Sequence, residues 1–340
     1  MPTNSSCRIV TGSEAGHPAV TLESDLLRVT VLPEKGADIY RFIYKPNGID
    51  FLWKNPVGLY PPGSPPHDGS GDFEFLHNYE GCWQELFPSC NDPSTYNGAA
   101  IPFHGEVAHL PWRYDVLTET ADEVAVRFTV ETRATTFRLE RVMRLRRGET
   151  RLILDETVTN IGGADQHFVW GHHCVVGGPW FEAGCRLDLG AGTITTVPVA
   201  YEAETARLAP GQRVPFPLAR LAESWGSGTV DLSVIPGVEI HSHDDVYLTD
   251  LREGYAWVTN PRLKLGFSLH WDASIFKWII SWQPYGGAEA LPFKGMPYAV
   301  GIEPWISSKA LGEAVAAGEA LLLAPGASMS TTLEARITVG

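Results

Sequence analysis

Apolar and polar residues alternate with a period of two along much of the chain. Leu27, Val29 and Val31 are separated by Arg28 and Thr30, and Val124, Val126, Phe128 and Val130 by Ala125, Arg127 and Thr129. Leu263, Leu265, Phe267, Leu269 and Trp271 alternate with Lys264, Gly266, Ser268 and His270. Successive side chains of a strand point to opposite faces, so each apolar set lies on one side of a sheet. Comparable runs at 136–145, 151–159, 167–176, 229–240, 245–251, 277–283, 298–303 and 329–338 predict further strands. Turn signals such as Arg147-Gly-Glu149 and Asn160-Ile-Gly-Gly163 separate many of them.

Helical pattern is confined to 307–320, where two glycines weaken it, and to a fainter candidate at 217–224. Many strands, few helices and no βαβ rhythm read as an all-β sandwich or barrel. The strand rhythm runs from about residue 18 to 339 with no linker, which predicts a single domain over 1–340. Its interruption at 54–103 is rich in Gly, Pro, Asn and Asp, yet its centre holds Trp83, Gln84, Leu86, Phe87 and Pro88. A long irregular stretch in a compact domain usually serves function.

Composition narrows the partners. The chain has 340 residues, 44% of them hydrophobic, and a net charge of −14 from 26 basic and 40 acidic side chains. That balance argues against nucleic acid and anionic membranes, which need clustered Lys and Arg. It suits a neutral small ligand. No apolar run approaches the roughly 20 residues of a membrane span, and the first residues lack the basic and apolar regions of a secretory signal. Five cysteines, an odd number with no C-x-x-C pair, support neither a disulfide framework nor a zinc knuckle. The expectation is a cytoplasmic protein, monomer or homodimer, without a cofactor.

Candidate chemistry lies where titratable residues sit among Gly, Pro and aromatics: Glu80–Pro88, Pro102–Glu106, Trp170–Gly177, His241–Asp245 and Val300–Trp305. A carboxylate such as Glu303, between Ile302 and Pro304, is either a strand-end group facing water or a desolvated acid or base. His172 and His173 are adjacent, so on a strand at most one faces a given pocket. A histidine on a strand, His104 included, is more often packed than catalytic. His241 and His243 share a strand face and neighbour Asp244 and Asp245, a faint cupin-like metal signal whose remaining spacing is missing. The expectation is therefore no metal. Trp278, Ile280 and Trp282 face one way and offer a platform for a sugar ring or simple core filler. No nucleophile elbow, phosphate loop or dinucleotide fingerprint occurs.

Five of these segments, in order, give a resemblance. Leu32-Pro-Glu-Lys-Gly-Ala-Asp-Ile39, Gly81-Cys-Trp-Gln-Glu-Leu-Phe-Pro88 with Pro102-Phe-His-Gly105 and Pro111-Trp112, Trp170–Gly177, Asp244-Asp-Val-Tyr-Leu248 and Gly301-Ile-Glu-Pro304 together resemble the aldose 1-epimerase (galactose mutarotase-like) family. The resemblance implies a large antiparallel β-supersandwich with few short helices. It implies an isomerase that interconverts the α and β anomers of a free sugar. It gives Glu303 the role of general base, His173 that of general acid, and His104 and Asp244 sugar-binding roles. Many members hold the sugar with an Arg near the first His. Here none follows His104, so Gln84 and Glu85 are expected to supply the missing polar contacts, and Trp83 and Trp282 are further expected substrate-binding residues. The absence of basic residues there argues against a phosphosugar. The alternatives are another sugar-modifying enzyme on the same fold (isomerase, epimerase or lyase) and a non-catalytic carbohydrate-binding protein.

Overall fold

The structure, a computed structural model, describes residues 6–64 and 73–340. The reading of the first five residues, and the 65–72 part of the 54–103 interruption, lie outside them. Two large antiparallel sheets dominate, one of 13 strands and one of eight. In the eight-stranded sheet the predicted alternation appears directly. Phe137–Arg146 pairs with Arg151–Asn160, every second residue buried in each. The buried half faces the other sheet, and rings such as Phe42 and Phe267, 5.2 Å apart and edge to face, join the two layers.

The middle of the 13-stranded sheet departs from alternation. Gly171–Gly177 is buried at every position, and Trp278–Tyr285 at all but its first. Such strands are covered on both faces. One face packs on the eight-stranded sheet; loops cover the other. The neighbouring strands run in the order Trp83–Leu86, Gly171–Gly177, Glu303–Trp305, Trp278–Tyr285, Ser242–Thr249. Cross-strand partners share a face, so register decides what meets what. Ile280 lies opposite Glu303, Asp245 opposite Trp282, and Gln84 opposite His173.

Three sequence expectations need correction. Residues 217–224 form no helix. Leu218–Arg220 is a short strand paired with Thr229–Asp231, followed by one 3₁₀ turn at Glu223–Trp225. The run at 229–240 is not one strand either. It stops at Asp231, whose side chain accepts from the Ser233 backbone N–H and hydroxyl and turns the chain, and beyond Pro236 and Gly237 a 3₁₀ turn spans Val238–Ile240. That turn also leaves His241 at φ 52°, exposed and 3.0 Å from Glu289, so it does not share a strand face with His243. Within 307–320 the helix is Leu311–Ala317, ended by Gly318 at φ 70°.

Candidate functional site

Glu303, His173, His104 and Trp282 line one cavity of about 340 Å³. It lies on the loop-covered face of the 13-stranded sheet, and its size is at the lower end of the roughly 300–1,000 Å³ typical of ligand sites. Strands supply His173, Glu303, Trp282 and Asp245. The short helix Glu74–His77 supplies Phe75, and loops supply Tyr79, Asn91, Phe103, His104 and Phe293. Among the described residues no lysine or arginine lines the cavity.

His173 Nε2 is 3.7 Å from Glu303 Oε1. The Tyr79 hydroxyl lies 3.3 Å from His173 Nδ1 and holds the ring from behind. His104 is set by backbone geometry. It sits at φ 63°, and the next residue, Gly105 at φ 79°, is one whose Cβ would fall 2.5 Å from the Phe87 carbonyl oxygen. Only glycine passes there. The Asn91 backbone N–H donates to His104 Nδ1 at 3.0 Å, so the imidazole proton sits on Nε2. At the far side Trp282 Nε1–H donates to His243 Nε2 at 2.7 Å. His243 therefore carries its proton on Nδ1, donated to Glu202 at 2.5 Å.

Glycine also makes room for the carboxylate. A Cβ on Gly301 would lie 2.3 Å from Glu303 Oε1. That oxygen has no hydrogen-bond partner among the described residues. Burial, then the charge of Asp245, push the Glu303 carboxyl well above the usual carboxylate range. Burial pushes His173 down to about 3 and His104 well below the usual imidazole range, with His173 adding to the effect. Burial thus disfavours charge on both groups and favours a pair that shares one titrating proton. A group that can give a proton and a group that can take one thus share an aromatic-rich cavity.

Trp83, Gln84, Glu85 and Asp244 do not line this cavity. Trp83 and Glu85 point through the sheet to the opposite face, by the period-two rule that puts Gln84 between them. Trp83 donates to His172 Nδ1, and His172 Nε2 lies 3.1 Å from Glu156 of the other sheet. Glu85 is paired with the buried Arg141 at 3.1 Å and accepts from Trp170 Nε1 at 2.9 Å. This network fastens the two layers together. Gln84 shares the face of His173 but lies beyond Tyr79, where it donates to Glu80 and lines a separate cavity with Lys35 and His109. Asp244 turns away and pairs with Arg207 at 2.7 Å, while accepting from the Arg207 and Leu208 backbone N–H groups.

Asp245 is the carboxylate that faces the cavity. Its parity with Trp282 identifies it, but that pairing is a three-dimensional fact. Tyr79, Asn91 and His243 were not among the predicted site residues. Tyr79 and Asn91 fall in the irregular stretch, where no periodicity says which way a side chain points. Among the described residues no three His, Cys, Asp or Glu side chains are grouped to hold a metal ion.

A family model described as Domain of unknown function (DUF4432) matches residues 14–337. No curated protein is similar enough to match. Among solved structures, a Klebsiella pneumoniae protein provisionally named an aldose 1-epimerase is similar with a TM-score of 0.73 and 17% identity, over 95% of this chain and 80% of that one. A galactose mutarotase-like protein from Clostridium acetobutylicum gives 0.63 and 13%, over 98% and 99%. A galactose mutarotase related enzyme from Lactobacillus acidophilus gives 0.60 and 15%, over 94% and 98%. The fold is therefore the galactose mutarotase-like one that the five sequence segments imply.

Proposed function

We propose that this chain, which belongs to the family described as Domain of unknown function (DUF4432), is an aldose 1-epimerase acting on a free neutral sugar. The observation that carries the reading is the Glu303–His173 pair, 3.7 Å apart in an aromatic cavity and backed by His104. Mutarotation needs one proton taken from O1 and one given to the ring oxygen. The C1–O5 bond then opens to an aldehyde, which turns about C1–C2 and closes on the other face. On closure O5 loses its proton, O1 regains one, and the two protein groups exchange roles.

A pair that holds one proton serves both directions. With the proton on the imidazole, Glu303 is the base and His173 the acid, as the resemblance implies. Burial favours the proton on the carboxyl over the imidazole, and a sugar oxygen seated between the two groups would carry it from one to the other. His104 offers its Nε2–H to charge that develops on the sugar oxygens. The Asp245 carboxylate, which faces the cavity 3.9 Å from His243 Nε2, accepts from a sugar hydroxyl. Trp282 and Trp305 offer faces to the ring.

Anomer exchange followed by magnetisation-transfer NMR tests this reading. Glu303→Gln and His173→Asn should each lose about 10²–10⁴-fold in exchange rate while circular dichroism stays native. Wild-type exchange in either variant would remove the assignment. A second reading draws on a specific feature: Asp245 is a further carboxylate on the same cavity. A sugar isomerase or C2 epimerase using it would place solvent deuterium on C2, which mutarotation leaves untouched.

A further inference from the structure

The surroundings of His173 differ sharply on its two sides. Toward Glu303 lie Asp245 and the His243 couple, among Ile280, Trp282 and Trp305. On the Gln84 side, away from Glu303, Phe75 and Tyr79 form an aromatic wall between this cavity and the neighbouring one. The Phe75 ring centroid is 5.3 Å from that of His173 and 4.7 Å from that of His104. The Tyr79 ring is 5.1 Å from His173 and stacked on Phe75, and the Phe103 ring lies against His104 at 3.8 Å. Phe75 and Tyr79 are 5% and 3% exposed, so this is a packed wall. The Tyr79 hydroxyl is already engaged with His173 Nδ1.

Sugar stereochemistry gives this wall a meaning, on the mutarotase reading from which the argument proceeds. The ring oxygen that exchanges a proton with His173 is bonded to C1 and C5. C1 bears the O1 that addresses Glu303. C5 and its substituent therefore extend past His173 on the side away from Glu303, against Phe75. A hydroxymethyl group there would bury a hydroxyl against ring carbons, and an unpaired buried hydroxyl is unfavourable. A methyl group there carries no hydroxyl to desolvate and buries apolar surface instead.

We propose that the preferred substrate is a free aldose with an apolar group on C5, a 6-deoxyhexose rather than a hexose. Phe75 sets this choice as a specificity-determining residue. An apolar pocket rejects an added hydroxyl only by about 10²-fold. The expected kcat/KM preference for the deoxy sugar is accordingly about 10- to 100-fold.

The test measures anomer exchange for two matched pairs, 6-deoxygalactose against galactose and 6-deoxyglucose against glucose. It uses the full chain and its Phe75→Asn and Phe75→Leu variants. The inference expects the deoxy sugar to lead in both pairs. It expects Phe75→Asn, which offers the hydroxyl a partner, to narrow the ratio at least threefold, and Phe75→Leu to keep it. Equal or reversed ratios in the wild type overturn it, as does a ratio that Phe75→Asn leaves unchanged while native circular dichroism is retained. If Phe75→Asn does not fold, the wild-type ratios and Phe75→Leu decide alone. If no sugar exchanges, the mutarotase reading has failed. Tryptophan-fluorescence titration of the same pairs then decides the specificity separately. Tighter binding of the deoxy sugars supports it, and equal or absent binding overturns it.

Discussion

Adding one methyl group beside the carboxylate tests whether Glu303 has to stand where it does. In Gly301→Ala the new Cβ falls 2.3 Å from Glu303 Oε1, where ordinary contact begins at 3.4 Å. The methyl cannot retreat, because the Trp282 backbone nitrogen and Cβ lie 3.0 and 3.1 Å away on another side. The carboxylate has to move by about 1 Å, and a displacement of that size at a reacting group costs about 10²-fold in rate. That corresponds to about 2.7 kcal/mol in the activation barrier. Overpacking costs about 1–3 kcal/mol of stability as well, so denaturant melts must accompany the kinetics. The assay is anomer exchange at saturating sugar, at a temperature where the variant is fully folded. The loss belongs in kcat. A folded Gly301→Ala with wild-type kcat would refute the claim that this position fixes the base.

Further predictions follow from the same geometry. Because Glu303 and His173 share one proton, activity should form a plateau through neutral pH. It should fall at low pH when His173 takes a second proton, near its depressed value of about 3, and at high pH when the raised Glu303 carboxyl gives up the shared one. The negative charge of Asp245 helps raise that carboxyl, so Asp245→Asn should move the alkaline limb of kcat/KM to lower pH; an unmoved limb contradicts the coupling. Asp244→Ala should instead destabilise the fold by leaving the buried Arg207 with Gln283 but without a counter-charge, and its folded fraction should keep its anomer exchange. Arg141→Met should cost about 3–5 kcal/mol in a denaturant melt by stranding Glu85 between the sheets; a loss below about 1 kcal/mol would contradict the role given to that network.

Strands were legible because period two is a local property, readable in runs such as Val124–Val130 and Leu263–Trp271. The error at 229–240 arose where apolar residues continue but the Asp231 side chain turns the chain at Ser233. Within the site, His173 could be separated from His172 only through the family resemblance, since adjacency says that the two diverge and not which one faces the ligand. The same ambiguity decided Asp244 against Asp245, and there the resemblance pointed to the residue that pairs with Arg207. Trp83 and Glu85 looked functional because polar and aromatic groups crowd one segment. That crowding is real, but it serves the Arg141–Glu85 and His172–Glu156 network between the layers. Phe75 and Tyr79 carry no periodic signal at all. Their importance comes from long-range packing against His104 and His173, which no window of sequence contains.

The central claim is that Glu303 and His173 exchange protons with a free sugar without altering its carbon skeleton. Magnetisation-exchange NMR of the anomeric protons of aldoses in weak buffer, with a parallel sample in deuterium oxide, addresses it most directly. The account predicts faster α–β exchange with the wild-type protein, loss of that acceleration in folded Glu303→Gln, and no deuterium at C2. Exchange no faster than in buffer for every aldose, an undiminished Glu303→Gln, or deuterium at C2 would contradict it.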